Sequence, residues 1–296
     1  MKTILLPLPG NETLAHTLAK KLEAELGKIT YRHFPDGESY LRIESEVKNK
    51  KVVLVCTLDR PDEKLLPLFF LSHLAKDQGA NCTCLVVPYL AYMRQDKVFQ
   101  TGEGITSKYF ANLISNFADS LITIDPHLHR ISRLSEIYHI PTEVVHADYH
   151  ISHWIKKHIK LPVLVGPDSE SEQWVSKVAQ EAGAPFLVLE KTRHGDRDVE
   201  VSVPQVEAYH NHTPVLVDDI ISTARTMIET VGHLKKAGLQ APVCIGVHAV
   251  FADNAYQELL NSGVERVITC NTIPHESNAI DLSELYVDFI KKFKKS

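Results

Sequence analysis

Short apolar runs alternate with amphipathic stretches along most of the chain. The run at 2–6 reads as a strand. Asn11 can then cap a helix in which Leu14, Leu18, Leu22 and Leu26 recur every four residues until Gly27 stops it. The continuous β-branched run at 51–55 is what a parallel strand buried on both faces requires. A helix at 62–78, a strand at 82–87, a helix at 107–118 and a strand at 121–124 follow. The alternation then begins again, with strands at 163–165, 186–189, 199–203, 215–217, 243–248 and 266–269. Helices are predicted near 172–182, 226–236 and 282–292, the last with a Lys-rich end that suits the negative pole of its dipole. Strands alternating with helices predict parallel sheets covered on both faces, and the right-handed crossover makes each half a doubly wound α/β unit. The break between the two series, near 142–150, predicts domains 1–145 and 146–296, with the last helix free to pack on the N-terminal domain.

Composition agrees with this picture and narrows the function. The 296 residues are 44% hydrophobic and 23% charged, enough for two ordinary domains. A net charge of −5 supplies no global field for nucleic acid, so anionic ligands must be held by local groups. The N-terminal apolar run is only three residues long and meets Pro7 and Pro9, so it is not a signal peptide. No stretch is long and apolar enough to span a bilayer, and the expected location is cytoplasmic. Cys56, Cys82, Cys84, Cys244 and Cys270 lie mostly in strand-like runs and read as buried free thiols. Cys82 and Cys84 share a strand face, but no second pair at zinc-site spacing accompanies them.

In open α/β sheets ligands bind beyond the carboxyl ends of the strands. Three such ends carry unusual residues: Asp125-Pro126-His127, Pro167-Asp168, and Asp218-Asp219 followed by Ser222-Thr223-Ala224-Arg225-Thr226. The third is the most telling. Two adjacent carboxylates after a buried strand are costly unless they bind something. The hydroxyl-rich turn behind them opens a helix, whose free N–H groups and positive dipole end suit a phosphate. One loop could therefore grip both the hydroxyls and the phosphate of a sugar phosphate. A single Asp capping a helix would need no ligand; the pair together with the hydroxyl turn points to one.

Residues 215–226 resemble the ribose 5-phosphate signature of the phosphoribosyltransferase fold. The arrangement with two such domains in one chain resembles the ribose-phosphate diphosphokinase (phosphoribosyl diphosphate synthase) family, and the likeness covers nearly the whole chain. Phe34-Pro-Asp36-Gly-Glu38 is similar to the family's ATP-base loop, which reaches a neighbouring subunit's site. Arg94-Gln95-Asp96-Lys97 is similar to its ATP-binding segment, and Arg offers a rigid fork for phosphate oxygens. His127 matches the family's histidine for the magnesium of Mg–ATP, although Mg²⁺ prefers oxygen, so a water-mediated role is as compatible as direct ligation. Pro167-Asp168 matches the family's Pro-Asp that precedes its diphosphate loop, and Asp168 is a candidate metal group. Lys191 and Arg193 resemble the Lys-x-Arg of the catalytic loop. Two residues apart in an extended segment, they would face one substrate together.

The resemblance implies two tandem phosphoribosyltransferase-type domains and transfer of the β,γ-diphosphate of ATP to ribose 5-phosphate. It also implies Mg²⁺ and a homo-oligomer, at least a dimer and up to a hexamer. Two loops depart from the pattern. Residues 169–172 lack the glycine of the diphosphate loop and carry Glu170 and Glu172, and Ala224-Arg225 stand where the family commonly has two glycines. These departures mark a divergent branch. They leave two rivals to weigh: a phosphoribosyltransferase, which would lack the 34–38 and 94–97 motifs, and a non-catalytic regulatory paralogue, which should have lost His127, Lys191, Arg193 and the Asp pair.

Overall fold

The computed structural model describes residues 1–167, 171–193, 199–202 and 206–293. The chain divides into two compact units. The first comprises Met1–Val145 with Thr272–Pro274 and the chain from Leu282 onward. The second comprises His146–Asn271 with His275–Asp281.

In the first unit, β1 (Thr3–Pro7), α1 (Glu12–Leu22) and β2 (Glu25–Leu26) are followed by a hairpin of β3 (Ile29–His33) and β4 (Ser39–Ile43). Then come β5 (Lys51–Val55), α2 (Pro61–Asp77), β6 (Cys82–Val87), α3 (Thr106–Ser115), β7 (Ser120–Ile124), a 3-10 turn at Leu134–Glu136 and β8 (Thr142–Val145). All sheet pairings are parallel, in the order β2-β1-β5-β6-β7-β8. Every residue of β5 and β6 is buried, which is why these strands read as unbroken apolar runs rather than as alternation. A fully buried Val or Leu contributes about 1.5–3 kcal/mol, so these strands carry much of the unit's stability.

The second unit opens with α4 (Asp148–His158), which starts in the boundary segment at 142–150 and runs on through residues the sequence pattern leaves unassigned. It continues with β9 (Pro162–Gly166), α5 (Glu172–Ala182), β10 (Phe186–Val188) and a hairpin of β11 (Glu190–Arg193) and β12 (Val199–Ser202). After a 3-10 turn at Val206–Tyr209 come β13 (Thr213–Ile221), α6 (Arg225–Lys236), β14 (Val243–Ala249), α7 (Ala255–Asn261), β15 (Arg266–Cys270) and β16 (Asn278–Ile280). A 3-10 turn at Ser283–Tyr286 and α8 (Val287–Lys292) belong to the first unit, where buried Lys51 donates to the carbonyl of Ile290. The second sheet is also parallel throughout, ordered β10-β9-β13-β14-β15-β16.

Renumbered within each unit, both sheets run 2-1-3-4-5-6, with an antiparallel hairpin inserted between the second and third strands. This is the doubly wound order with its switch point between strands one and three. The expected α/β class with two mainly parallel doubly wound sheets is what the molecule adopts. Both inserted hairpins separate two parallel strands, and β3–β4 lies in a stretch the apolar pattern leaves unassigned. All five cysteines are buried and outside any disulfide, and burial pushes the thiols of Cys56 and Cys84 up to about 12.

Candidate active site

In the first unit the polar residues gather on the loops after β6 and β7. Arg94 and Lys97 are exposed, while Asp96 is 9% exposed. The Arg130 guanidinium donates to Asp96 at 3.0 Å, and the Arg130 backbone N–H donates to it at 3.2 Å. The Asp96 carboxylate is therefore engaged in tying one loop to the other. The Gln95 side-chain oxygen accepts the Thr106 hydroxyl at 2.9 Å, which fixes its amide against the start of α3. Lys97 Nζ stands 5.0 Å from the Phe99 ring and the Arg130 guanidinium 5.8 Å from the same ring. His127 follows Asp125, whose φ of 33° bends the chain sharply at the end of β7, and its ring lies 4.1 Å from that of His129. A non-glycine residue at positive φ costs on the order of 1–3 kcal/mol and persists where its surroundings hold it. The sequence reading misses Arg130 because its significance lies in its contact with Asp96, 34 residues away.

Phe34, Asp36 and Glu38 form the tip of the β3–β4 hairpin and are exposed. Phe34 N–H donates to the Glu38 carbonyl at 2.8 Å, and Asp36 accepts the Glu38 N–H at 3.2 Å. Gly37, at φ 93°, closes the turn. The Arg32 guanidinium lies 4.6 Å from the Phe34 ring and 4.4 Å from Tyr40, so the tip is an aromatic and cationic platform with a carboxylate beside it. Such a platform suits a flat ring and an anion.

In the second unit β13 is longer than its apolar core, because Asp218 and Asp219 continue the strand. Both are half-buried. Asp218 accepts the N–H of Asp219 at 3.0 Å, and Asp219 accepts that of Ile220 at 2.7 Å. Ser222 is half-buried, while Thr223, Arg225 and Thr226 are exposed. Ala224 is 7% exposed and sits in the left-handed region at φ 56°, as the N-cap of α6. The backbone conformation that two glycines would make easy is thus present with an alanine, held by burial. Arg225 opens the helix with its side chain on the surface. The result is a row of carboxylates, hydroxyls and helix N–H groups at the carboxyl end of a central strand.

The backbone of Lys191 and Arg193 lies in β11, opposite Val201 and Val199. Their side chains, and Asp168 with residues 169–170, lie outside the described residues. Among the described residues no three or more His, Cys, Asp or Glu converge as a metal cage, and no helix is long and apolar enough to cross a membrane. A 610 Å³ groove in the second unit, between α4 and β15–β16, is lined by Tyr149, Trp154, Lys157 and Arg266 among others and holds none of the expected site residues.

Two parallel sheets with the order 2-1-3-4-5-6, one carrying an acidic strand end and a hydroxyl turn at its switch point, define a phosphoribosyltransferase-type α/β protein. Residues 3–117 match the model of the N-terminal domain of ribose phosphate pyrophosphokinase, and residues 134–286 match the phosphoribosyl transferase domain. The chain is 33% identical over 275 residues to the ribose-phosphate pyrophosphokinase of Sulfurisphaera tokodaii, covering 90% of this chain and 92% of that protein. It is 31% identical over 287 residues to ribose-phosphate pyrophosphokinase 2 of Archaeoglobus fulgidus, covering 97% and 99%. The fold is that of the crystal structure of phosphoribosylpyrophosphate synthetase from Mycobacterium smegmatis, with a TM-score of 0.84 at 24% identity over 98% of each chain. The chain belongs to the ribose-phosphate pyrophosphokinase family, whose members are ATP-dependent diphosphotransferases.

Proposed function

We propose that the chain transfers the β,γ-diphosphate of ATP to the anomeric hydroxyl of ribose 5-phosphate, giving 5-phosphoribosyl 1-diphosphate and AMP. The observation that carries this reading, in a chain of this family, is the end of β13: paired half-buried carboxylates and then exposed hydroxyls at the opening of α6. Helix N–H groups and the hydroxyls of Ser222, Thr223 and Thr226 take the 5-phosphate, aided by the charge of Arg225. Asp218 and Asp219 take the ribose hydroxyls. In the first unit, Arg94 and Lys97 offer exposed charge to the ATP phosphates, with Gln95 beside them. Asp96 acts by holding Arg130 in place. Phe34, Asp36 and Glu38 recognise the base, in a neighbouring subunit of a homo-oligomer.

Such transfers depend on positioning and charge neutralisation, and Lys191 with Arg193 stabilises the moving diphosphate. The cation is Mg²⁺, which keeps water and substrate phosphates among its ligands and needs only one or two protein groups. His127, on the loop after β7, would be one such protein group. His127 and Asp168 would hold and orient Mg²⁺, which would supply neutralisation of phosphate charge. The enzyme works in the cytoplasm.

A ³¹P NMR time course with ATP, Mg²⁺ and ribose 5-phosphate tests the proposal. AMP and a new diphosphate ester should appear together and only with the sugar phosphate. Folded protein that forms no AMP from any nucleoside triphosphate in excess metal would sink the reading in favour of a non-catalytic paralogue.

A further inference from the structure

The loop that follows β14 touches the proposed sugar-phosphate loop directly. Phe251 N–H donates to the Ile221 carbonyl at 2.8 Å, and Ala252 N–H donates to the Ser222 carbonyl at 3.0 Å. These are the last two carbonyls before Thr223 and the N-cap Ala224. To present its N–H groups this way the chain bends through Phe251 at φ 35° and Asp253 at φ 52°. A bulky aromatic residue in the left-handed region is unfavourable by itself, so something must hold it. The neighbouring rings do so. Phe251 lies 5.0 Å from Tyr256 and 4.7 Å from His275, and Tyr256 lies 4.6 Å from His275, so each ring touches the other two.

His275 is anchored in its turn. Its Nδ1 accepts the Ser277 N–H at 3.2 Å and lies 2.7 Å from the Ser277 hydroxyl, while its backbone N–H donates to Asn278 at 3.0 Å. Ser277 and Asn278 are bonded to Thr269 of β15. An Nδ1 that accepts a backbone N–H leaves the neutral ring's proton on Nε2. The cluster is therefore continuous from β15, through three rings, to the backbone at the entrance of α6.

We propose that Phe251 is a positioning residue for ribose 5-phosphate. Locked between Tyr256 and His275, it fixes 221–222 and thereby presents the hydroxyls and N–H groups of 223–226 in phosphate-binding geometry without the glycines that would otherwise make that geometry easy. The inference rests on the reading of 222–226 as the sugar-phosphate loop. It explains how a loop with Ala224 and Arg225 keeps a left-handed cap.

The test compares Phe251→Leu, which keeps an apolar side chain but removes the ring, with Tyr256→Phe, which keeps the ring cluster. His275→Leu is the second variant should Phe251→Leu not fold. Calorimetry with ribose 5-phosphate and the KM for each substrate are measured, together with hydrogen exchange at the Phe251 and Ala252 amides. Phe251→Leu, or His275→Leu in its place, should raise the KM and Kd for ribose 5-phosphate about 10-fold. The ATP KM should stay within about 2-fold, and both amides should exchange faster. Tyr256→Phe should behave as wild type. An unchanged sugar-phosphate Kd, or an equal rise in both KM values, overturns the proposal. Thr226→Val separates the two levels. If it weakens ribose 5-phosphate and the ring variant does not, only the clamp falls. If Thr226→Val has no effect, the loop assignment falls and the clamp with it.

Discussion

The third strand of each sheet leads into a loop and a helix at the switch point, and the two copies share a backbone plan but differ in what fills it. In the first unit β5 leads to α2, and Arg60 caps the helix at φ 48°. In the second β13 leads to α6, and Ala224 caps it at φ 56°. The first copy is closed by its own side chains. Leu58 is fully buried, the Thr57 N–H is taken by Asn11 at 2.8 Å, and Pro61 at the first helical turn contributes no N–H. Lys64 donates to the Thr57 carbonyl at 3.1 Å and pairs with Asp59. The second copy replaces this plug with exposed Thr223, Arg225 and Thr226 behind half-buried carboxylates. One backbone plan thus gives a plugged helix entrance in the first unit and, in the second, exposed donors that suit the proposed phosphate site.

The comparison can be broken first at its acids. Replacing both Asp218 and Asp219 by Asn should lower kcat/KM for ribose 5-phosphate at least about 10²-fold, close to 3 kcal/mol, with circular dichroism unchanged. Asp59→Asn at the matching loop should leave it within about 2-fold. Steady-state kinetics on both variants decide. Equal losses would mean the two loops are not functionally distinct.

The next effect falls on the closed copy. Lys64→Met removes the ammonium that satisfies Thr57 and Asp59, and should cost about 1–3 kcal/mol in urea unfolding. The KM for ribose 5-phosphate should not move, since the loop it damages belongs to the other unit.

The smallest effect sharpens the shared device. Arg60→Gly and Ala224→Gly each relieve a left-handed non-glycine residue and should change stability by about 1 kcal/mol or less, read from denaturant midpoints. Only Ala224→Gly should alter ribose 5-phosphate affinity. A kinetic effect of Arg60→Gly confined to that substrate would contradict the division of labour.

Much of this was legible along the chain. Continuous apolar runs give the central strands because parallel strands covered on both faces expose nothing, and the repeated alternation gives two sheets of one class. The acids of 218–219 and the hydroxyls of 222–226 stood out because polar residues beside a buried strand are costly without a purpose. The hairpins were harder. Apart from buried Ile43, β3 and β4 are exposed or half-buried, so no solvent-to-core alternation announces them. The α1 stripe of leucines ran on in sequence to Leu26, but the helix stops at Leu22 with Glu23 left-handed, and Glu25–Leu26 pair with β1 instead. Strand pairing outweighed helical spacing there.

The sequence alone determined the class of fold, the two units, the acidic strand end and the family, because all four rest on residue types in local order. Tertiary structure decided which groups are free to act. Asp96, expected at the ATP site, is also engaged by Arg130 once the chain folds. Phe251, Tyr256 and His275 lie up to 24 residues apart in the sequence and have no common motif, yet they meet beside the proposed sugar-phosphate loop. Such pairings depend on which strand ends a parallel sheet brings side by side. Crossover connections set that order, and local sequence carries no trace of it.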